Sequence, residues 1–84
     1  MEQEEIKAII ENILLAADQP VSETQFKNLL GGEVEKVSFK SVLEELIDEY
    51  NSRNLQILQV AEGYQLCTRH DYSDWVRKFL KFDK

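Results

Sequence analysis

The spacing of apolar residues changes abruptly after Tyr50, and that change restricts the fold more than any other feature of the chain. From Ile6 to Tyr50 the apolar side chains recur mostly at three- and four-residue steps. From Leu55 to Arg69 they form two short runs rich in apolar, β-branched and aromatic residues. The first pattern is one stripe of an amphipathic helix, and the second is that of strands bounded by turns. A helical half followed by a hairpin is therefore the starting expectation.

The first helix is expected over Glu4–Ala17, with Ile6, Ile9, Ile10, Ile13, Leu14 and Ala17 on its stripe and Leu15 off it. Pro20 closes this segment, because proline disfavours helix in the residue before it. The second helix, Ser22–Leu30, opens on a capping box. Ser22 and Gln25 can each satisfy the other's backbone N–H, and Val21 and Phe26 stand at the staple positions. Its apolar face is Phe26, Leu29 and Leu30. Gly31-Gly32 stops it, since glycine readily takes the left-handed conformation at a helix end. The third helix, Ser38–Asn51, carries Phe39, Val42, Leu43, Leu46, Ile47 and Tyr50 inward and Lys40, Glu44, Glu45, Asp48 and Glu49 outward.

Strands are expected at Leu55–Ala61 and Tyr64–Arg69. Glu62-Gly63 between them reads as a tight hairpin with glycine at its positive-φ position. The broken alternation at Ile57-Leu58 leaves room for a bulge. A last helix, Tyr72–Lys81, places Trp75, Val76, Phe79 and Leu80 on one side, with Asp71 or Ser73 as its cap. Helix, helix, helix, hairpin, helix is the layout of a winged helix-turn-helix, an α+β fold. Residues 1–84 then form one domain, whose core is small because a chain of this length buries only about 60% of its surface.

Charge and cysteine content exclude several classes of function. The net charge of -6 opposes nonspecific binding to nucleic acid or anionic membrane. Cys67 is the single cysteine, so no internal disulfide forms and a reducing compartment fits best. The start Met1-Glu2-Gln3-Glu4-Glu5 lacks the basic residues and apolar run of a signal peptide. No stretch approaches the roughly 18 apolar residues of a membrane span. A cytoplasmic protein without a membrane partner is expected.

Catalysis finds no foothold either. His70 is the only histidine, three residues from Cys67 on an alternating strand. That spacing puts the two on opposite faces, where they cannot form a nucleophilic pair. They read as a surface histidine and a half-buried cysteine. A zinc site needs three or four suitably spaced ligands, and none is visible. Glu44, Glu45, Asp48 and Glu49 cluster on the third helix, where the plain reading is a solvated face and the alternative a protein-binding surface. Gly31-Gly32 lacks the Lys and Ser/Thr of a phosphate loop. No catalytic residue, metal, cofactor or small-molecule substrate is assigned.

The fold itself suggests DNA, and the charges oppose it. The helix that would enter the major groove has one lysine against four carboxylates between Ser38 and Asn51. Phosphate contacts need Lys or Arg. The wing tip offers Glu62. Only the last segment is basic, with Arg77, Lys78, Lys81 and Lys84. A winged-helix transcription regulator is therefore the alternative reading, behind a protein-interaction module. Trp75, Phe79 and Phe82 form a row at four- and three-residue steps. Either all complete the core, or part of the row is exposed as a contact, since large aromatics anchor interfaces. The same holds for Leu15 and Ile9. Leu15, Trp75, Phe79 and Phe82 are the candidate interface residues.

The opening helix, Ile9 to Ala17, runs into Asp18-Gln19-Pro20-Val21-Ser22. The third helix ends Leu46-Ile47-Asp48-Glu49-Tyr50, and the wing reads Leu55 to Ala61, Glu62-Gly63-Tyr64, then Leu66-Cys67-Thr68-Arg69. Over nearly the whole chain this resembles the N-terminal domain of the segregation and condensation protein B (ScpB) family, and the wing is the most specific part. The departure is the turn before the wing, where Asn51-Ser52-Arg53-Asn54 replaces a glycine-containing one. The resemblance implies two winged-helix domains in tandem, so a second would follow the tail Lys81-Phe82-Asp83-Lys84. It implies that N-terminal domains pair as a homodimer and that C-terminal domains hold the kleisin ScpA. Through ScpA the complex bridges the heads of the SMC ATPase in chromosome condensation, segregation and the cell cycle. Neither catalytic residues nor sequence-specific DNA binding follows from it.

Overall fold

The computed structural model describes residues 2–32 and 38–82, with the side chain of Phe82 outside that set. The elements are α1 (Gln3–Ala16), α2 (Glu23–Leu30), α3 (Phe39–Tyr50), β1 (Leu55–Val60), β2 (Gly63–Thr68), a 3-10 turn (His70–Tyr72) and α4 (Ser73–Phe82). This is the winged-helix order expected from the residues, with ends within two residues of those read from the spacing. One end differs in kind: His70–Tyr72 winds as a separate 3-10 turn, and Ser73 starts α4.

The helix starts follow local chemistry. Ser22 Oγ accepts the Gln25 N–H at 3.1 Å while the Ser22 N–H donates to Gln25 Oε1 at 2.9 Å, so both halves of the capping box form. The Ser41 N–H donates to Ser38 Oγ at 3.2 Å and opens α3. Gly31, at φ 59°, ends α2, and its N–H donates to the Lys27 carbonyl at 2.8 Å.

The core joins one stripe from each of the first three helices to the inner side of the wing. Ile6, Ile10 and Leu14 of α1 meet Phe26 of α2, five residues of α3, and Ile57 and Tyr64 of the wing. Phe26 and Phe39 pack with ring centroids 5.3 Å apart and planes tilted by 38°, a favourable aromatic arrangement. Leu29 departs from expectation. The spacing puts it on the apolar face of α2, but it is exposed, while Leu30 packs on the core.

The wing differs from its reading in two details. Its strands pair without interruption from Leu55↔Thr68 to Val60↔Gly63, so no bulge occurs. Leu58 simply points to the outer face and stays exposed. The hairpin loop is Ala61-Glu62, and Gly63 is the first residue of β2. Its φ of 147° answers a tertiary demand: a Cβ there would lie 2.3 Å from the Val21 carbonyl oxygen. Val21 and Tyr64 exchange backbone hydrogen bonds of 2.8 and 2.9 Å, which makes an isolated antiparallel bridge on the free side of β2. At the base of the wing, Arg69 Nη2 donates to the Tyr50 carbonyl at 2.6 Å.

Two polar contacts, beside a 3.3 Å hydrogen bond from Gln3 Nε2 to Glu45, tie α1 to α3. Lys7 donates to Glu45 at 2.8 Å and to Glu49, and it lies 3.3 Å from Glu4. Its side chain is 12% exposed, and Glu45 first, then Glu49, hold its ammonium well above the ordinary lysine range. Part of the acidic face expected in solvent is thus turned toward α1. Glu44, Glu45 and Asp48 remain exposed, and Glu49 is half-buried.

The second contact is Tyr50, whose hydroxyl donates to Glu11. That hydrogen bond, and then burial, raise the phenol above its ordinary value of 10.0. The fold favours the protonated phenol. Its contribution is complete below the unfolded value and is lost as pH rises through the higher folded one. An ultraviolet titration of the tyrosines is expected to show Tyr50 ionising late. Glu11→Gln should bring it back toward the others, and an unchanged curve would remove Glu11 as the cause.

Candidate interaction surface

The strongest surface feature is α4. Its apolar side chains, Trp75, Val76, Phe79 and Leu80, share one face with Tyr72 of the preceding turn, and its polar side carries Asp74, Arg77, Lys78 and Lys81. In a helix that packs on its own domain such a face is buried. Here none of the described side chains of α4 is buried. Trp75 is 70% exposed, Phe79 64%, and Leu80 and Tyr72 about half. The Lys78 ammonium sits 4.9 Å from the centre of the Trp75 ring, which steadies the indole without covering it. The helix extends from the 3-10 turn, and the molecule measures 45 × 25 × 21 Å.

Leu15 is 69% exposed on α1, beside a shallow hollow whose lining includes Tyr50, Leu55 and Leu66. On the adjoining side of α1 runs an open groove lined, among the described residues, by Glu5, Ala8, Ile9, Asn12, Ile13 and Ala16. Asn12 Nδ2 donates one of its two N–H groups to the Ala8 carbonyl at 2.8 Å.

Of the four candidate interface residues, Leu15, Trp75 and Phe79 all reach the surface. The side chain of Phe82 lies outside the described residues. Beyond Ile9 the groove leaves little mark on the sequence, because Ala8, Asn12 and Ala16 resemble ordinary helix filler. Their spacing of four was the available signal.

Chemistry has no comparable centre. Among the described residues, no group of three or more His, Cys, Asp or Glu side chains is placed to hold a metal ion. No described helix is long and apolar enough to cross a membrane. Cys67 is half-buried, with its thiol donating to the Gln65 carbonyl at 3.6 Å, and His70 is exposed on the 3-10 turn. On the face of α3 that would approach a duplex, Lys40 stands against Glu44, Glu45 and Asp48, all exposed.

Comparison with known proteins places this geometry. The sequence profile of the family described as segregation and condensation complex subunit ScpB matches residues 8–84. The chain belongs to the ScpB family. The ScpB of Clostridioides difficile is 31% identical over 83 residues, which take in 96% of this chain and 46% of that protein. The chain therefore spans less than half the length of this relative. The crystal structure of ScpB from Mycobacterium tuberculosis superimposes with a TM-score of 0.83 at 25% identity, covering 99% of this chain and 52% of that one. A dimer of an ScpB N-terminal domain complexed with ScpA peptide superimposes with a TM-score of 0.75 at 28% identity, covering 90% and 95%. In that ScpB neighbour an ScpA peptide accompanies the N-terminal domain, whereas the resemblance had put the kleisin on the second domain.

Proposed function

We propose that this chain is the N-terminal winged-helix domain of an ScpB subunit. It is a non-enzymatic module that pairs with a second copy and joins ScpA, and through it SMC, in chromosome condensation and segregation in the cytoplasm. The exposed aromatic row of α4 carries the reading. A domain this small has no reason to expose Trp75 and Phe79 unless something covers them. The two rings supply about a third of the ~800 Å² per partner that a stable interface buries. The near-complete overlap with a dimeric ScpB N-terminal domain supports the same reading.

Sedimentation equilibrium at micromolar concentration is expected to show a dimer. Trp75→Ala should weaken association by at least ~30-fold, as for the loss of an interface anchor. A dimer indifferent to that change would remove Trp75 from the interface. An ScpA peptide should bind the dimer in calorimetry. Duplex DNA should show no submicromolar, salt-sensitive binding by anisotropy, because the exposed face of α3 is acidic. Such binding would favour the transcription-regulator reading instead.

A further inference from the structure

We propose that two copies pair by exchanging arms: α4 of each lies in the groove along α1 of the other. This rests on the homodimer reading and adds which surface meets which.

Shape comes first. α4 presents a ridge of large side chains, Trp75 and Phe79, flanked by Tyr72 and Leu80. The groove offers small side chains, Ala8 and Ala16, beside the apolar Ile9 and Ile13. Small residues let a second helix approach closely, and ridges seat in such grooves. The lengths agree. The ten residues of α4 span about 15 Å, and the twelve positions from Glu5 to Ala16 about 18 Å at the same rise. The Asn12 amide enters the contact with one N–H already bonded to the Ala8 carbonyl, and its second N–H is left to the rim of the strip.

Charge decides between the possible pairings. α4 holds Arg77, Lys78 and Lys81 against Asp74, a net +2, which leaves -8 of the chain's -6 to all other residues. Of the charges on α1, Lys7 and Glu11 are engaged with α3 and Glu4 with Lys7, and Glu5 lines the groove itself. An α4–α4 contact would oppose two positive helices, and an α1–α1 contact two negative ones. α4 on α1 sets opposite signs side by side, which steers encounter and disfavours the other registers. The exchange is reciprocal, so it closes as a two-fold dimer and buries both copies of each face.

The test is complementation, followed by sedimentation equilibrium. One variant blocks the groove, Ala8→Arg, at an exposed helix position where arginine is tolerated. The other strips the arm, Trp75→Ala with Phe79→Ala, both exposed. Circular dichroism reads whether each still folds. Each variant alone should associate at least ~30-fold more weakly than the parent chain. Mixed, they should form a heterodimer at concentrations where either alone is monomeric, because one arm–groove junction is intact. A parent dimer that ignores Ala8→Arg, or variants that fail to complement, would overturn the arm exchange and leave the homodimer standing. A monomeric parent chain would overturn both. A monomer whose α4 instead binds anionic vesicles would assign that face to a lipid surface.

Discussion

Replacing Gly63 with alanine is expected to cost the domain about 3 kcal/mol or more. Two effects combine. The φ of 147° is one that side-chain-bearing residues rarely adopt, and the new Cβ would lie 2.3 Å from the Val21 oxygen, 2.5 Å from its carbon and 2.7 Å from the Ser22 nitrogen. Those are backbone atoms, and they are held. Val21 is paired with Tyr64 on both of its polar groups, and the Ser22 N–H is engaged in the capping box of α2. Relief therefore requires breaking the Val21–Tyr64 bridge or moving the start of α2. A domain of this size has roughly 4–13 kcal/mol of stability in all, so the loss is a large share. Urea unfolding followed by circular dichroism measures it. A loss under ~1 kcal/mol would mean that Val21 moves aside cheaply and that the bridge is not a fixed point.

The second large effect is expected from Phe26→Ala, at about 3–5 kcal/mol. Phe26 is fully buried, and it is the only buried side chain of α2. Its ring touches nothing wet and packs on Phe39 at the start of α3. Removing it leaves a cavity and also takes away the anchor that holds α2 to the body, because Leu29 faces solvent and Leu30 is only half-buried. Phe26→Leu keeps most of the volume and should cost less than half as much. Equal losses for the two substitutions in urea unfolding would show that ring shape matters and volume does not.

The helices and the wing were legible because burial imposes a period, and each period shows in Ile6 to Tyr50 and in Leu55 to Arg69. The helix ends were legible because caps are local: Ser22 with Gln25, Ser38, and Gly31 act within a few residues. What escaped was set by tertiary contact. Gly63 looked like a turn residue, yet its requirement comes from Val21, 42 positions earlier in the chain. Glu45 and Glu49 looked solvated because their partner Lys7 lies on another helix. The interface candidates divided along the same line. Leu15 stood off its stripe and Trp75 and Phe79 exceeded what a small core could absorb, so a surplus was readable. The groove of Ala8, Asn12 and Ala16 was not, because small side chains carry little pattern of their own.

The pairing of the wing has one more consequence. β2 is flanked on both sides, by β1 and by the bridge to Val21, but β1 has no neighbour on its outer edge among the described residues. Its six residues, Leu55-Gln56-Ile57-Leu58-Gln59-Val60, contain no charge and no proline, the features that usually blunt such an edge. A stretch of this kind is a template for cross-β stacking once it comes loose. The Arg69 tie to the Tyr50 carbonyl, at the root of the hairpin, holds this edge strand to the body of the domain. Loosening of the wing also has to free Ile57 and Tyr64 from the core, so the packing of the helices and this root together keep the edge in place.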